Sequence, residues 1–174
     1  MMNLEDAQIY VGTYRKYNEG SLFGKWLQLS DYSDLEEFIE ACKMLHQDEE
    51  DPELMYQDWE NIPEALICEC SLSENFFDLR DALDNLKDDD KEAFMVWCTH
   101  GSYDISSEDA HILISKFWDE YHGKYASEED FAYRYVVDCY DLPEFAQTYF
   151  DYEKFAHELF STDYWFEDGY VFRR

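Results

Sequence analysis

Carboxylates run through every part of this chain, and no part carries enough cations to balance them. Residues 1–60, 61–103 and 104–174 have net charges of −11, −7 and −11, within a total of 42 Asp and Glu against 13 Lys and Arg. An acidic tail would gather its charge in one block; here the charge is spread over the whole sequence. Charge of this size can signal disorder. Aromatic residues at 19% of the chain argue against it, because acidic disordered segments are poor in them. The expected object is a folded body that is acidic all round. A globular chain of this mass exposes roughly 9,000 Å², or about one carboxylate per 210 Å². Self-repulsion at that density destabilises a compact shape, so the charge is expected to have a use.

Several function classes drop out. Phosphate affinity needs Lys and Arg to displace counterions, so direct nucleic-acid binding is not expected, nor is an anionic membrane surface. No apolar run approaches the roughly 20 residues of a membrane span. Met1 to Gln8 lacks the charged start and apolar core of a signal peptide, and the expected location is the cytoplasm. The cysteines Cys42, Cys68, Cys70, Cys98 and Cys139 are odd in number and irregularly spaced. They argue against a disulfide framework or a paired CxxC zinc site. Cys68 and Cys70 form a lone CxC, read as two thiols on a short apolar segment.

Local signals predict an α+β chain of small domains. Gln8–Tyr14 and Gly24–Leu29 read as strands, with Asn18-Glu19-Gly20 as a turn between them. Ser33 and Glu36 match a capping box. The helix they open has Leu35, Phe38, Ile39, Cys42 and Leu45 at helical spacing, and Asp34, Glu36, Glu37 and Glu40 on its other face. Asp48–Pro52 reads as a loop and Leu54–Trp59 as a strand. A second helix, capped by Ser73, is predicted to run to about Leu86. At 100° per residue from Glu74, its apolar Phe76, Leu79, Leu83 and Leu86 fall at about 120–200°, and Glu74, Asp78, Asp81, Asp84 and Asp88 on the opposite side. That acidic arc has no base. Asp88–Asp90 starts a further helix ending near His100-Gly101.

Further along, Ser106 or Ser107 is expected to cap a helix through about Tyr121, with Ile112, Leu113, Phe117 and Trp118 apolar. Ser127 caps the next, with Glu128, Glu129 and Asp130 in its first turn. Pro143 suits the first position of a short helix. Asp151 can cap another whose apolar face is Tyr152, Phe155, Leu159 and Phe160. At the end, Asp168-Gly169 between two aromatic runs is a strong two-residue hairpin signal. The expected architecture is elongated. An N-terminal α+β domain (1–61) has a small antiparallel sheet and a helix, and a central helical domain (62–103) follows. The C-terminal α+β domain (104–174) has helices and a β-hairpin.

Catalytic patterns are missing: there is no phosphate-binding glycine loop, nucleophile elbow or HExxH. The histidines His46, His100, His111, His122 and His157 are scattered. Cys98-Thr99-His100 is a weak thiol–imidazole candidate. Among so many acids, close carboxylate pairs arise by chance. DEEDPE (48–53) and Asp88–Asp90 could offer oxygens to calcium, but neither has the central Gly of an EF-hand loop. No cofactor and no dedicated metal site is expected. A salt-adapted surface would explain the acids, but such proteins trade large apolar residues for small ones, and this chain is rich in Trp, Tyr and Phe.

What stays is imitation of a polyanion. Duplex DNA carries two charges per base pair, so a net charge of 29 equals about 15 base pairs of phosphate. One helix stripe carries a charge every ~4.5–6 Å, about a third of the duplex density. A mimic therefore needs several acidic stripes side by side, and the expected partner is a protein with a DNA-binding groove. The candidate mimic surface is Asp31, Asp34, Glu36, Glu37, Glu40, Glu74, Asp78, Asp81, Asp84, Asp88, Glu108, Asp109, Glu128 and Glu129. The alternative is an acidic adaptor or cation-buffering protein without a DNA-groove target.

Specific stretches also resemble a known family. IYVGTY (9–14), KYNEGSLFGKWLQLSDY (16–32), EFIEAC (37–42), EEDPE (49–53) and the DYWFEDGYVFR ending (163–173) are similar to the ArdA antirestriction proteins. The family's antirestriction motif is matched at Asp141, Pro143, Glu144, Tyr149, Phe150 and Asp151; Asp138-Cys139-Tyr140 replaces its apolar start. The resemblance implies a DNA mimic that binds type I restriction–modification enzymes in the groove of their methyltransferase core. It implies inhibition of restriction, and often of modification, as a mobile element arrives. It also implies an elongated homodimer with its contact in the C-terminal domain near the motif. Phe145, Tyr149, Phe150, Tyr152, Phe155 and Phe160 crowd two short helices there, and Tyr149 and Phe150 are the expected contact residues.

Overall fold

Ile9 and Val11 are fully buried in β1 (Gln8–Thr13), the central strand of a three-stranded antiparallel sheet in the order β2-β1-β3. In the computed structural model, residues 3–100 and 103–174 are described. β2 (Lys25–Gln28) pairs Leu27 with Ile9, and β3 (Leu54–Glu60) pairs Trp59 with the same residue. The β1–β3 register shifts between Tyr10 and Val11, a bulge that re-aims the end of β1. Gly24, just before β2, has Tyr10 against it: a Cβ there would lie 2.6 Å from the Tyr10 ring.

Two expected boundaries move in this region. Tyr14 leaves the strand and opens α1 (Tyr14–Asn18), whose N-cap is Thr13. The cap of α2 (Leu35–Leu45) is Asp34, not Ser33: the Asp34 carboxylate accepts the Glu37 N–H at 2.9 Å, and Glu37 accepts the Ser33 N–H at 2.7 Å. A carboxylate beats a hydroxyl here because it also meets the positive end of the helix dipole. α2 buries Phe38 and Cys42 fully, while Leu35, Ile39 and Leu45 are half-buried. The Phe38 ring packs between Tyr32 and Tyr56, at 5.5 and 6.0 Å. Burying one such side chain contributes about 1.5–3 kcal/mol.

The middle of the chain is not wholly helical. A two-stranded hairpin of β4 (Ile67–Cys68) and β5 (Ser71–Leu72) precedes the helices. Its turn is tied to β3 by the Tyr56 N–H, which donates to the Glu69 carbonyl at 2.7 Å. α3 (Asn75–Leu83) is shorter than its wheel suggested. Glu74 holds the N-cap position and Asp84 the C-cap, and Ser73 accepts the Asn75 N–H at 3.2 Å. Phe76, Phe77, Leu79 and Leu83 are buried; Leu86 lies beyond the helix and is half-buried. α4 (Asp88–His100) opens on three aspartates at its positive end and buries Phe94 and Trp97. Trp97 stacks on Tyr103 at 4.1 Å. The expected C-cap at Gly101 lies outside the described residues.

α5 (Ala110–Glu120) begins later than expected, because Asp109 is its cap. The Asp109 carboxylate accepts from the His111 and Ile112 N–H groups, whereas the Ser106 and Ser107 hydroxyls both donate to Asp104. Leu113 and Phe117 are buried, but Ile112 and Trp118 are 54% and 45% exposed and do not join the core. The chain divides into two compact units, Met1–Ile114 and Ser115–Arg174, and the boundary falls within α5.

In the second unit, Tyr121 starts a strand rather than ending a helix. β6 (Tyr121–Lys124), β7 (Tyr164–Glu167) and β8 (Tyr170–Arg173) form a sheet in the order β6-β8-β7. Asp168 and Gly169 join β7 to β8 with φ of 49° and 88°, the two left-handed conformations of a tight hairpin turn. α6 (Glu128–Cys139) is capped by Ser127 and α8 (Tyr152–Thr162) by Asp151. Between them, Pro143 is the N-cap of α7 (Glu144–Thr148), one position before the expected one. Phe131 and Ala132 of α6, Ala156, Leu159 and Phe160 of α8, Tyr164 and Val171 form one core. Phe172, on the other face of β8, packs near Phe117 and stacks on Trp165 at 4.3 Å. The fold is α+β, with small antiparallel sheets, and an N-terminal sheet with its helix.

Candidate functional site

The candidate surface is made of carboxylates, and their backbone positions decide what each can do. In the first unit, Glu36, Glu37 and Glu40 stand on the solvent face of α2, with Asp31 and Asp34 just before it, and all five are exposed. Spacings of three and four residues place like charges about 4.5–6 Å apart along the axis. Like charges at that spacing cost a few tenths of a kcal/mol per pair in an isolated helix. Asp34 and Glu37 offset part of this by accepting backbone N–H groups at the helix start.

Glu74, Asp78, Asp81, Asp84 and Asp88 are also exposed, but they do not form one stripe on one helix. Asp84 closes α3 and Asp88 opens α4. Nor is the arc free of cations. The Arg80 guanidinium bonds the Asp81 carboxylate at 2.8 Å, and the Lys91 ammonium lies 4.0 Å from Asp84. Arg80 also donates to the Leu29 and Tyr32 carbonyls at 2.8 and 2.9 Å, so its reach is set by the fold. Lys91 bonds Glu5 as well, and that hydrogen bond, with the ammonium's charge, holds the Glu5 carboxyl below its ordinary range. Asp84 sits at the negative end of α3, where an acid is disfavoured; Lys91 offsets that.

Glu108 is half-buried and Asp109 exposed, the latter occupied as the cap of α5. In the second unit, Glu128 and Glu129 are exposed in the first turn of α6. Their placement at the positive helix end lowers the cost of their mutual repulsion.

The motif residues lie around α7 and the start of α8. Asp141, Pro143, Glu144 and Asp151 are exposed, and Asp151 is committed to capping α8 through the Lys154 N–H at 3.0 Å. Tyr149 is 75% exposed, and so is Phe145, which was not among the expected contact residues; their rings lie 4.9 Å apart. Phe150 is half-buried, 4.9 Å from the Tyr152 ring and 5.6 Å from Phe155. The spacing of Phe145 and Tyr149, one helical turn apart, is the sequence signal that pairs them.

One polar group was not legible in sequence. Lys16 reaches Asp48 at 2.8 Å, the His46 Nδ1 at 3.0 Å and Glu49 at 3.5 Å, above the Phe23 ring. An ammonium only donates, so Nδ1 accepts, and the His46 Nε2–H then donates to the Val11 carbonyl at 3.3 Å. His46 is fully buried, and burial pushes its pKa down. The group ties α1 and the loop after α2 to the end of β1. It reads as a fastening of the fold.

Among the described residues, no three His, Cys, Asp or Glu side chains are gathered as a metal-holding group, and no helix is long and apolar enough to cross a membrane. No curated protein matches the chain. Residues 9–172, nearly its whole length, match the family described as antirestriction protein (ArdA). That match spans both compact units, and the chain belongs to the ArdA antirestriction proteins.

Proposed function

We propose that this protein inhibits type I restriction–modification enzymes by occupying the DNA-binding groove of their methyltransferase core. Its mode is imitation of the duplex, without catalysis and without a cofactor. It blocks restriction, and modification with it, in the cytoplasm of a cell receiving a mobile element. The observation that carries this reading is the exposure of carboxylates along α2, α3 and the starts of α4 and α6 in a chain of net charge −29. A groove built for DNA is lined with cations that neutralise phosphates and release the counterions gathered on the duplex. Exposed carboxylates held at about one-turn spacing offer the same Lys and Arg a comparable array of negative charge. Membership of an antirestriction family supports the class of target.

The same reading includes a two-fold homodimer through the second unit. Phe145 and Tyr149 are its centre, with Phe150 behind them. Two like-charged bodies repel, so the contact needs an apolar centre and is eased by salt. Duplex displacement from a purified type I methyltransferase core tests the function. Displacement of the duplex, with direct binding of the protein to the core that weakens steeply as salt is added, supports the mimic. Failure to displace DNA at any ratio returns the protein to an acidic adaptor or cation buffer.

A further inference from the structure

Cys68 and Cys70 stand at the turn of the β4–β5 hairpin, both exposed, with their Sγ atoms 3.6 Å apart. The Ser71 hydroxyl lies 3.0 Å from the Cys68 sulfur. This is not a loose loop. Ile67 and Leu72 are buried on either side, and the Glu69 carbonyl is held by the Tyr56 N–H. The backbone therefore presents the two sulfurs together, and occupation of a DNA groove makes no use of them.

We infer that Cys68 and Cys70 form a redox-active dithiol that exchanges with small cationic disulfides, Cys68 attacking and Cys70 resolving. Hydrogen bonds from Ser71 and Cys70 stabilise a thiolate on Cys68 and bring its pKa down to about 7, while Cys70 is moved upward by its neighbour and keeps its proton. An attacking thiol works best when its pKa lies near ambient pH, where thiolate fraction and nucleophilicity are both adequate. The buried cysteines are opposite cases: desolvation pushes Cys42 up to about 12 and Cys98 up as well.

The exchange balances in two steps. The Cys68 thiolate attacks one sulfur of a disulfide RS–SR; that S–S bond breaks, a mixed disulfide forms on Cys68, and one RS⁻ leaves and takes a proton from solvent. Cys70 then gives its proton to solvent and attacks the Cys68 Sγ, expelling the second RS⁻, which is protonated in turn. Two cysteine thiols are oxidised to one disulfide and RS–SR is reduced to two thiols. The sulfurs must close from 3.6 Å to about 2.05 Å. Charge selects the reagent. Glu69 stands between the cysteines in sequence, and a body of net charge −29 repels anionic disulfides and attracts cationic ones.

The test uses the full chain, native, with cystamine as the cationic probe and oxidised glutathione as the anionic one. The expected result with cystamine is loss of the Cys68 and Cys70 thiols, a mass decrease of two hydrogens, a mapped Cys68–Cys70 crosslink and no retained cysteamine. Cys70→Ser should retain one cysteamine on Cys68. Cys68→Ser should react at Cys70 a few-fold more slowly at neutral pH, because the larger thiolate fraction of Cys68 is partly offset by its lower intrinsic nucleophilicity. At low salt, oxidised glutathione should also react about tenfold more slowly than cystamine, with the gap closing as salt is added. Cys68 reacting no faster than the exposed Cys139 of the same native chain would overturn the dithiol, as would cysteamine kept on native Cys68. Equal rates for the two disulfides at low salt would overturn the cationic class. Far-ultraviolet circular dichroism checks the serine variants, and the Cys68-to-Cys139 comparison in the native chain decides the question even if a variant does not fold.

Discussion

The Thr13 hydroxyl donates to the Glu49 carboxylate at 2.7 Å, and both side chains are buried. Glu49 belongs to a run of four acids, 48–51, whose other members are exposed. A run that is uniform in sequence is thus divided by the fold: one acid holds β1 to the loop after α2, and the rest face water. Glu49 is tolerated inside because its oxygens meet a hydroxyl and, at 3.5 Å, the Lys16 ammonium. A buried carboxylate without partners would cost several kcal/mol.

Removing that acid should therefore destabilise the first unit. Glu49→Ala leaves the Thr13 O–H without its acceptor, while the Thr13 oxygen keeps the Lys16 N–H, and is expected to cost about 1–3 kcal/mol. Glu50→Ala, one residue on and exposed, should stay within about 0.5 kcal/mol. Urea unfolding of the two variants compares them directly. Equal midpoints would show that the Thr13–Glu49 bond contributes nothing net.

His46 gives a pH dependence whose sign follows from its surroundings. Burial first, and the Lys16 ammonium as well, lower its pKa from 6.5, against the opposing pull of the Val11 carbonyl. The unfolded chain then binds the proton more readily than the folded one. The stability from this residue is fully present above about pH 6.5 and is lost as pH falls through the lower folded value. Between about pH 7 and 5.5, above the carboxylate range, the native protein should lose stability more steeply than His46→Gln. Parallel curves would remove His46 from the account.

Inhibition should depend on the acids collectively. A solvated charge pair contributes about 0–1 kcal/mol, so Asp78→Asn alone is expected to leave restriction blocked. Replacing Glu74, Asp78, Asp81, Asp84 and Asp88 together by their amides should raise the inhibitor concentration needed by about tenfold or more while the fold persists. Asp81 is the member to watch, since the freed Arg80 would then add a positive charge to the surface. Abolished inhibition by the single change in a folded protein would defeat the distributed picture.

The aromatic pair on α7 should control the oligomeric state. Tyr149→Ser with Phe145→Ser is expected to give a folded monomer by light scattering, because both rings are 75% exposed and support little of their own core. Phe150→Ala should lower thermal stability as well, since its ring packs on Tyr152 and Phe155. A native chain that is monomeric at micromolar concentration and moderate salt would rule out the dimer.

Signals that act within three or four residues were readable. Asp168-Gly169 turns the last hairpin because a tight two-residue loop needs two left-handed conformations. Ser127 and Asp151 cap their helices because a side-chain oxygen two or three positions back is the nearest acceptor for the first free N–H groups. Where two candidates stood side by side, local pattern misassigned the cap: Ser33 yielded to Asp34, and Ser106 and Ser107 to Asp109, since backbone geometry picks the Ncap and a carboxylate also answers the dipole.

By itself, the sequence determined a folded, strongly acidic α+β chain, because net charge, aromatic content and hydrophobic period need no knowledge of distant partners. Only the tertiary structure decided which acids face inward, that Arg80 spends its donors on the Leu29 and Tyr32 carbonyls, that β6 joins the edge of β8, and that Tyr149 is exposed while Phe150 is half-buried. The first three outcomes depend on groups separated by tens of residues, and the last on how Phe150 packs on Tyr152 and Phe155. A carboxylate in the chain is the same chemical group everywhere; whether it meets water, a hydroxyl or a guanidinium is settled when distant segments pack.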